Sequence, residues 1–194
     1  MKFTMGIVGS FTVIAGGVTI SVSGTYWTVP NYHTLVAYCE GPGGSGGGGA
    51  PGGANNYTGP TGNPGSGPTE FYSTTPLIGY PGQGGTPAYC GYSYGWNGSY
   101  WGANGTVGAA GAASGGDTNT SGGGQPGGAG GAWGYVGGIG GAGGIAVKTW
   151  TLGQTGAPVP HSLIYVVVGA GGICPTGGVP GAPGSNGFVY LQWS

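Results

Sequence analysis

Glycine recurs at every third position in several separate segments of this chain. The frame is strict in three of them, where no glycine stands outside it: Gly102, Gly105, Gly108 and Gly111; Gly178, Gly181, Gly184 and Gly187; Gly59, Gly62 and Gly65. Three residues make one turn of a polyproline II helix, which has no internal hydrogen bonds. Its backbone N–H and C=O groups need partners from neighbouring segments, and glycine lets those segments approach closely. The spacing therefore predicts short polyglycine II rods, bundled side by side within one chain.

The composition bears on whether this glycine is ordered. Glycine accounts for 55 of the 194 residues, and glycine-rich sequence is by default a flexible coil. Disordered chains are usually rich in charge and poor in aromatic residues, whereas this chain is 3% charged, 12% aromatic and 38% hydrophobic. A collagen triple helix needs long uninterrupted repeats and abundant proline, and this chain has only 15 prolines. We therefore expect ordered rods, the longest in residues 127–144; the alternative is a set of unrelated surface turns.

Four segments outside the glycine runs are predicted to be β-strands. They are VTISVS, TLVAYC, SLIYVVV and FVYLQWS, at residues 18–23, 34–39, 162–168 and 188–194. In the second, Leu35, Ala37 and Cys39 are expected on one face, and the third reads as a strand buried on both faces. No segment has a helical period, and glycine and proline would break one. The chain is therefore predicted to be all-β: a small β-sandwich-like frame with glycine-rich loops that form bundled polyglycine II helices.

The amino-terminal segment is interpreted as β-structure. Residues 1–25 contain one lysine and an apolar stretch, and so resemble a weak signal peptide. We expect instead a β segment that docks onto a larger assembly; the alternative is an ordinary first strand of the same sandwich. Residues 26–194 are then a single glycine-rich β and polyglycine II domain, as their length suggests.

Residue types that carry catalysis are scarce. The chain has three acids, two lysines and two histidines, and no two of them form a recognisable motif: Glu40, Glu70, Asp117, Lys2, Lys148, His33 and His161. General acid–base catalysis, metal binding and catalytic triads all draw on these types. We therefore expect no enzymatic activity, no catalytic residue, no metal site and no cofactor. Two basic side chains would neutralise too few phosphates for nucleic-acid binding.

Three cysteines leave the disulfide state open. Cys39, Cys90 and Cys174 are an odd number, so at least one has no intramolecular partner, and no CxxC spacing suggests a metal. Because Cys39 lies in a predicted strand, we expect it to be a buried thiol.

Aromatic residues are concentrated in glycine-rich loops. The candidates in AYCGYSYGWNGSYWG, residues 88–102, are Tyr89, Tyr92, Tyr94, Trp96, Asn97, Tyr100 and Trp101. Trp133 and Tyr135 interrupt the longest glycine run in the same manner. In antibody loops, tyrosine and tryptophan give rigid contact area while small polar residues adapt. These nine residues are therefore candidates for receptor binding; the alternative is that the rings cap and seal the glycine bundle.

Two stretches of the sequence resemble glycine-rich domains of bacteriophage tail-fibre proteins. GTYWTVPNYHTLVAYCEGPGGSGGGG resembles their opening, with a proline-centred turn, a strand and a glycine run. IAVKTWTLGQTGAPVPHSLIYVVVGAGGICPTGG and GSNGFVYLQW resemble their closing half, in which one strand ends in V-G-x-G-G and the last ends near tryptophan. The resemblance covers residues 24–194, with the middle matching by composition only. The predicted rods are also similar to those of receptor-binding adhesins at the tips of some long tail fibres.

This resemblance implies a virion protein, made in the host cytoplasm, whose partners are other virion proteins and a host-cell receptor. In such adhesins, loops between the rods contact the host surface. The resemblance therefore implies that residues 89–101 recognise a glycan or an outer-membrane protein. We expect a homo-oligomer, for which a trimer is one option. Two alternatives stay open: a capsid or tail decoration protein with a purely structural role and, more remotely, an ice-binding protein of the polyglycine-bundle kind.

Overall fold

The computed structural model of the chain describes residues 13–52, 56–93, 99–176 and 179–194. Within these ranges the chain forms fifteen β-strands and no helix, in agreement with the all-β prediction. In chain order the strands are β1 (Gly16–Ile20), β2 (Thr25–Thr28), β3 (Thr34–Glu40), β4 (Ala50–Pro51), β5 (Tyr57–Thr58), β6 (Thr69–Phe71), β7 (Leu77–Gly79), β8 (Tyr89–Ser93), β9 (Ser99–Ala103), β10 (Ala113–Ser114), β11 (Thr118–Thr120), β12 (Ala132–Val136), β13 (Ile145–Thr151), β14 (Leu163–Val167) and β15 (Phe188–Trp193).

Two five-stranded antiparallel sheets pack around one hydrophobic core. Their strand orders are β1-β15-β3-β13-β11 and β10-β7-β6-β14-β2. Buried side chains from both sheets and from the segment after β2 form the core: Ile20, Val29, Tyr32, Leu35, Ala37, Cys39, Phe71, Leu77, Ala146, Trp150, Ile164, Val166, Val189 and Leu191. Strand β1 pairs with β15 at the edge of the first sheet. Residues 1–12 lie outside the described ranges, so the docking role and the boundary at residue 25 stay predictions.

All four strands predicted from the sequence are present, although their ends are shifted. Leu35, Ala37 and Cys39 are fully buried on one face of β3, as predicted. The prediction that the third strand is buried on both faces is wrong. In β14, Ile164 and Val166 face the core, whereas Leu163 on the opposite face is 64% exposed. The apolar sequence of β14 suggested burial on both faces, but no described element covers the outer face of the second sheet.

The glycine segments are held together by backbone hydrogen bonds. Residues 41–49 lie at the centre of these segments and are all buried. The N–H groups of Gly41, Gly44 and Gly47 donate to segment 138–144 at 2.8–2.9 Å. The remaining N–H and C=O groups of the central segment bond to further segments, including 60–63, 82–88, 125–131 and 179–185. Along the central segment, the same partner segment therefore recurs every third residue.

Glycines of one strict three-residue frame donate hydrogen bonds within this network. Gly105, Gly108 and Gly111 each donate to a carbonyl of segment 136–142 at 2.8 Å. A Cβ atom added at any of these three positions would overlap a backbone carbonyl oxygen of segment 80–86. The frame thus marks positions where two neighbouring backbones approach too closely for any side chain.

Strands run directly into glycine segments. The last pair of the β3–β13 ladder is Glu40 opposite Ile145, and the next bond joins the Gly41 N–H to the Gly144 carbonyl at 2.8 Å. In the same way, β15 continues segment 179–187. The sheet ladders therefore set the register of the glycine segments.

The densest glycine run, residues 127–144, is not one long rod as predicted. Segments 125–131 and 137–143 lie antiparallel and are bonded to each other at 2.9 Å. Strand β12 connects them and contains Gly134, whose φ of 94° is unfavourable for residues with a side chain. Glycine spacing alone cannot locate such a reversal, because Gly134 stays in the same three-residue frame.

Replacing Gly47 by alanine is expected to destabilise the protein by about 2–3 kcal/mol, because the Cβ would overlap the Thr86 carbonyl oxygen. The melting temperature should fall by roughly 5–10 °C. Gly52→Ala is the matched control, since no atom of the described residues lies within 4 Å of a Cβ at that position. Equal melting temperatures for the two variants would contradict tight packing of the glycine segments.

The Cys39 thiol is expected to resist alkylation in the folded protein. Burial raises its pKa to about 12, and its Sγ donates to the Thr69 carbonyl at 3.0 Å. Because the thiolate is the reactive form, iodoacetamide at neutral pH should modify Cys39 only after denaturation. Mass spectrometry of the digested protein reads this out, with the half-buried Cys174 as the internal comparison. Labelling of Cys39 in the folded protein as fast as that of Cys174 would refute its burial.

Candidate functional site

A β-hairpin carries most of the predicted binding residues. Strands β8 and β9 pair antiparallel, with Tyr92 opposite Tyr100. The short strand β5 pairs with β8, where Tyr57 stands opposite Cys90. The sequence analysis treated residues 89–101 as a loop, which is wrong for the two strands. Aromatic residues favour pleated, half-buried surfaces, and here this preference outweighs that of the neighbouring glycines.

A small second core anchors the base of the hairpin. Ala50, Ala88 and Cys90 are fully buried, and Tyr57 and Tyr135 pack against them. Ala50 follows the central glycine segment directly, and the Ala88 N–H donates to that segment at 2.9 Å. The hairpin is therefore joined to the glycine network by both packing and hydrogen bonds.

Two aromatic rings of the hairpin contact each other at the surface. The rings of Tyr89 and Trp101 lie 5.0 Å apart with a 58° tilt, and Trp101 is 55% exposed. The Tyr89 hydroxyl donates to Asn56 Oδ1 at 3.2 Å, which fixes the position of this ring. Gly91 leaves the room that Trp101 occupies, since a Cβ there would lie 2.8 Å from the indole. The indole is thus held in place while much of it stays open to solvent.

Tyr135 is brought to the same region from strand β12. Its ring lies over Gly102 of β9, where an added Cβ would collide with it. The Val136 N–H donates to Asn104 Oδ1 at 2.8 Å and ties β12 to the end of β9. Tyr135 therefore supports the hairpin, while the side chain of Trp133 lies outside what the structure describes.

The structure describes the remaining candidates for receptor binding only in part. Tyr92 and Tyr100 are a cross-strand backbone pair, and their side chains are not among those described. Tyr94, Trp96 and Asn97 fall in residues 94–98, outside the described ranges. Their predicted role in binding stays a prediction.

The hairpin has no charged side chain. None of the residues 88–103 is acidic or basic. In the described part of the chain, the ion pair joins Lys148 to Asp117 at 3.0 Å, beside β13. Hydrogen bonds from the Thr149 N–H and from Lys148 lower the pKa of Asp117 there. No group of three metal-ligating side chains occurs among the described residues. The hairpin segment therefore offers aromatic rings, hydroxyls and amides as its functional groups.

A second aromatic group lies on the outer face of the second sheet, and the sequence analysis did not single it out. The Tyr165 ring on β14 contacts Tyr26 at 5.0 Å and Tyr72 at 5.8 Å. The Tyr72 hydroxyl donates to a carboxylate oxygen of Glu70, which raises the pKa of Tyr72. Tyr26 is 65% exposed. Tyr26 and Tyr165 stand directly opposite each other in the pairing of β2 with β14, and the sequence carries no alternation of polarity that would have indicated this register.

Removal of the Tyr135 ring and removal of the Trp101 ring are expected to lower the free energy of unfolding by different amounts. Tyr135→Ala should lower the free energy of unfolding by about 2 kcal/mol, because this ring packs on the small core. Trp101→Ala should cost about 1 kcal/mol or less, since the indole is 55% exposed and loses its contacts with Tyr89 and Gly91. Thermal unfolding of both variants measures the difference. A larger loss from Trp101→Ala would mean that the indole is structural.

Comparisons with known proteins give no match that would indicate a function. The chain matches no protein-family model, and no curated protein or solved structure is significantly similar to it. In the described ranges, no helix of a length and hydropathy suited to crossing a membrane is present. The hairpin, with the small core and the hydrogen bonds that anchor it, is therefore the basis for a functional proposal.

Proposed function

We propose that this chain is a bacteriophage virion protein that acts as a receptor-binding adhesin at the tip of a tail fibre. The observation that carries the proposal is the half-exposed Trp101, which rests on Tyr89 in an uncharged hairpin anchored at its base. A ring already held at the surface gains contact area on binding and loses little conformational entropy. The resemblance of residues 24–194 to tail-fibre domains supplies the biological setting.

We propose further that the glycine segments are polyglycine II helices. Two observations support this geometry. Hydrogen-bond partners of residues 41–49 recur every third residue, as three residues per turn require. The glycines at positions 105, 108 and 111 each donate to one neighbouring segment, also at this period.

The mechanism involves binding without a chemical step. Tyr89 and Trp101 offer ring faces to a host glycan or outer-membrane protein. The other candidates of this segment are proposed to take part in binding: Tyr92, Tyr94, Trp96, Asn97 and Tyr100. Trp133 lies on β12, which is tied to the hairpin through Asn104. The glycine network beneath is rigid and poor in side-chain entropy, so the tip of the hairpin can vary in sequence without disturbing it.

The adhesin proposal includes an assembly. We place the protein in the virion, bound to other virion proteins and self-associated, with a trimer as one option. Residues 1–25 would form part of the attachment to the virion.

A purely structural decoration protein of the capsid or tail is the second candidate. The observation that favours it is the aromatic face of the second sheet, where Tyr26, Leu163 and Tyr165 are exposed and the one acidic neighbour, Glu70, is hydrogen-bonded to Tyr72. Cores of protein interfaces are enriched in aromatic residues and depleted in charge. An ice-binding role is the most remote alternative, because it needs a flat face of small residues and the frame is built from strands with clustered tyrosines.

Binding of the purified protein to candidate host cells tests the adhesin proposal. We expect saturable binding and competition with phage adsorption. Trp101→Ala and Trp96→Ala should weaken binding at least tenfold, the loss that corresponds to about 1.4 kcal/mol, while both variants stay folded.

Tyr26→Ala is the matched control, because it removes an exposed ring on another sheet. Its cell binding should equal that of the parent protein. No cell binding by folded protein, or loss of binding only in Tyr26→Ala, would reject the hairpin adhesin. The second outcome would point to the face of the second sheet.

A further inference from the structure

A concavity lies on the outer face of the first sheet, at the start of β1. Its volume is about 530 Å³, and Gly17, Thr34, Tyr190, Gln192 and Trp193 are among its lining residues. Ligand pockets for small molecules commonly fall between about 300 and 1,000 Å³. The concavity is in a different sheet from the aromatic hairpin and shares no residue with it.

Gly17 leaves this space open on the outer face, whereas Gly16, its neighbour in the strand, faces the core side. A Cβ at Gly16 would lie 2.6 Å from the Trp193 ring, so the indole occupies the place of a side chain. A Cβ at Gly17 would lie 3.1 Å from the Tyr190 hydroxyl oxygen and would begin to fill the concavity. Neither glycine has a positive φ, and both lie within a regular strand. Glycine weakens a strand, so its presence here is explained by the space that it leaves.

Three polar side chains in the concavity have no partner within the described ranges. They are the Thr34 hydroxyl, the Tyr190 hydroxyl and the Gln192 amide, none of which makes a hydrogen bond with another described residue. The Trp193 indole N–H is already used, since it donates to the Ile14 carbonyl at 2.9 Å. Each of these three groups can both donate and accept. No side chain that lines the concavity is charged.

We infer that this concavity binds one unit of an uncharged saccharide. A sugar ring presents hydroxyls that donate and accept, which match the amide and the two hydroxyls, and an apolar face that matches the Tyr190 ring. A phosphate or carboxylate ligand would find no cationic side chain here. A purely apolar ligand would leave the three polar groups without partners, which costs binding free energy. The inference does not depend on the proposed role of the hairpin.

A titration followed by ¹H–¹⁵N NMR tests the inference. The probes are the methyl glycosides of glucose, galactose, mannose and N-acetylglucosamine. At least one should shift the signals of Gly16, Gly17 and the Gln192 side-chain amide saturably, with a Kd on the order of 1–10 mM. Glucuronate and cyclohexanol, the charged and apolar comparisons, should leave these signals unchanged. Dextran and mannan as polymer probes distinguish the sources: binding at least tenfold tighter than the monomer indicates a glycan chain, and equal binding indicates a free sugar.

Two variants locate the binding. Gly17→Val should fill the concavity and weaken binding at least tenfold, and Gln192→Ala should weaken it severalfold without adding volume. Thr149→Ala, on the same outer face of β13, is the control and should bind like the parent protein. The inference is overturned if no glycoside gives saturable local shifts, if cyclohexanol binds as well as the sugars, or if Gln192→Ala and folded Gly17→Val retain full binding.

Discussion

Hydrogen bonding between glycine backbones is the interaction on which the rest of this structure depends. Around residues 41–49, side chains supply almost no contact, and the neighbouring segments approach until carbonyl oxygens fill the places of Cβ atoms. One such bond contributes only about 1 kcal/mol net, and each glycine loses more conformational entropy on ordering than any other residue. Stability therefore comes from many bonds formed together, and a single methyl group in the centre disturbs several segments at once.

The hydrophobic frame and the glycine network support each other. Because β3, β13 and β15 continue into or out of glycine segments, their ladders set the register from which the next hydrogen bonds follow. The frame buries Leu35, Trp150 and Phe71, and so supplies the apolar burial that the glycine segments lack. The hairpin of β8 and β9 stands at the far end of the same segments, where a second small core closes around Cys90.

Local patterns in the sequence predicted the parts of the structure that have a period. Alternation located β3 and β15, and the three-residue glycine frame located the donors at 105, 108 and 111. Burial of β14 was mispredicted because an apolar run does not reveal whether a second layer covers the sheet. The reversal at Gly134 was missed because it keeps the glycine frame. At the candidate site, ring type and position were predictable, but the contact of Trp101 with Tyr89 across Gly91 depends on strand register. The concavity beside Gly17 likewise depends on which strand pairs with β1.

The hydrogen-bond partners of the central segment determine when that segment can fold during synthesis. Residues 41–49 are made before segments 138–144 and 179–185, to which they bond. A nascent chain that has reached residue 130 still has these donors exposed to water, along with β3, whose neighbours β13 and β15 do not yet exist. Long sequence separation of this kind delays folding, and waiting strands are prone to pair with other chains. The near absence of charge removes one common protection against such pairing. The central segment and β3 therefore reach their bonded state only after the segments around residues 144 and 193 have been made.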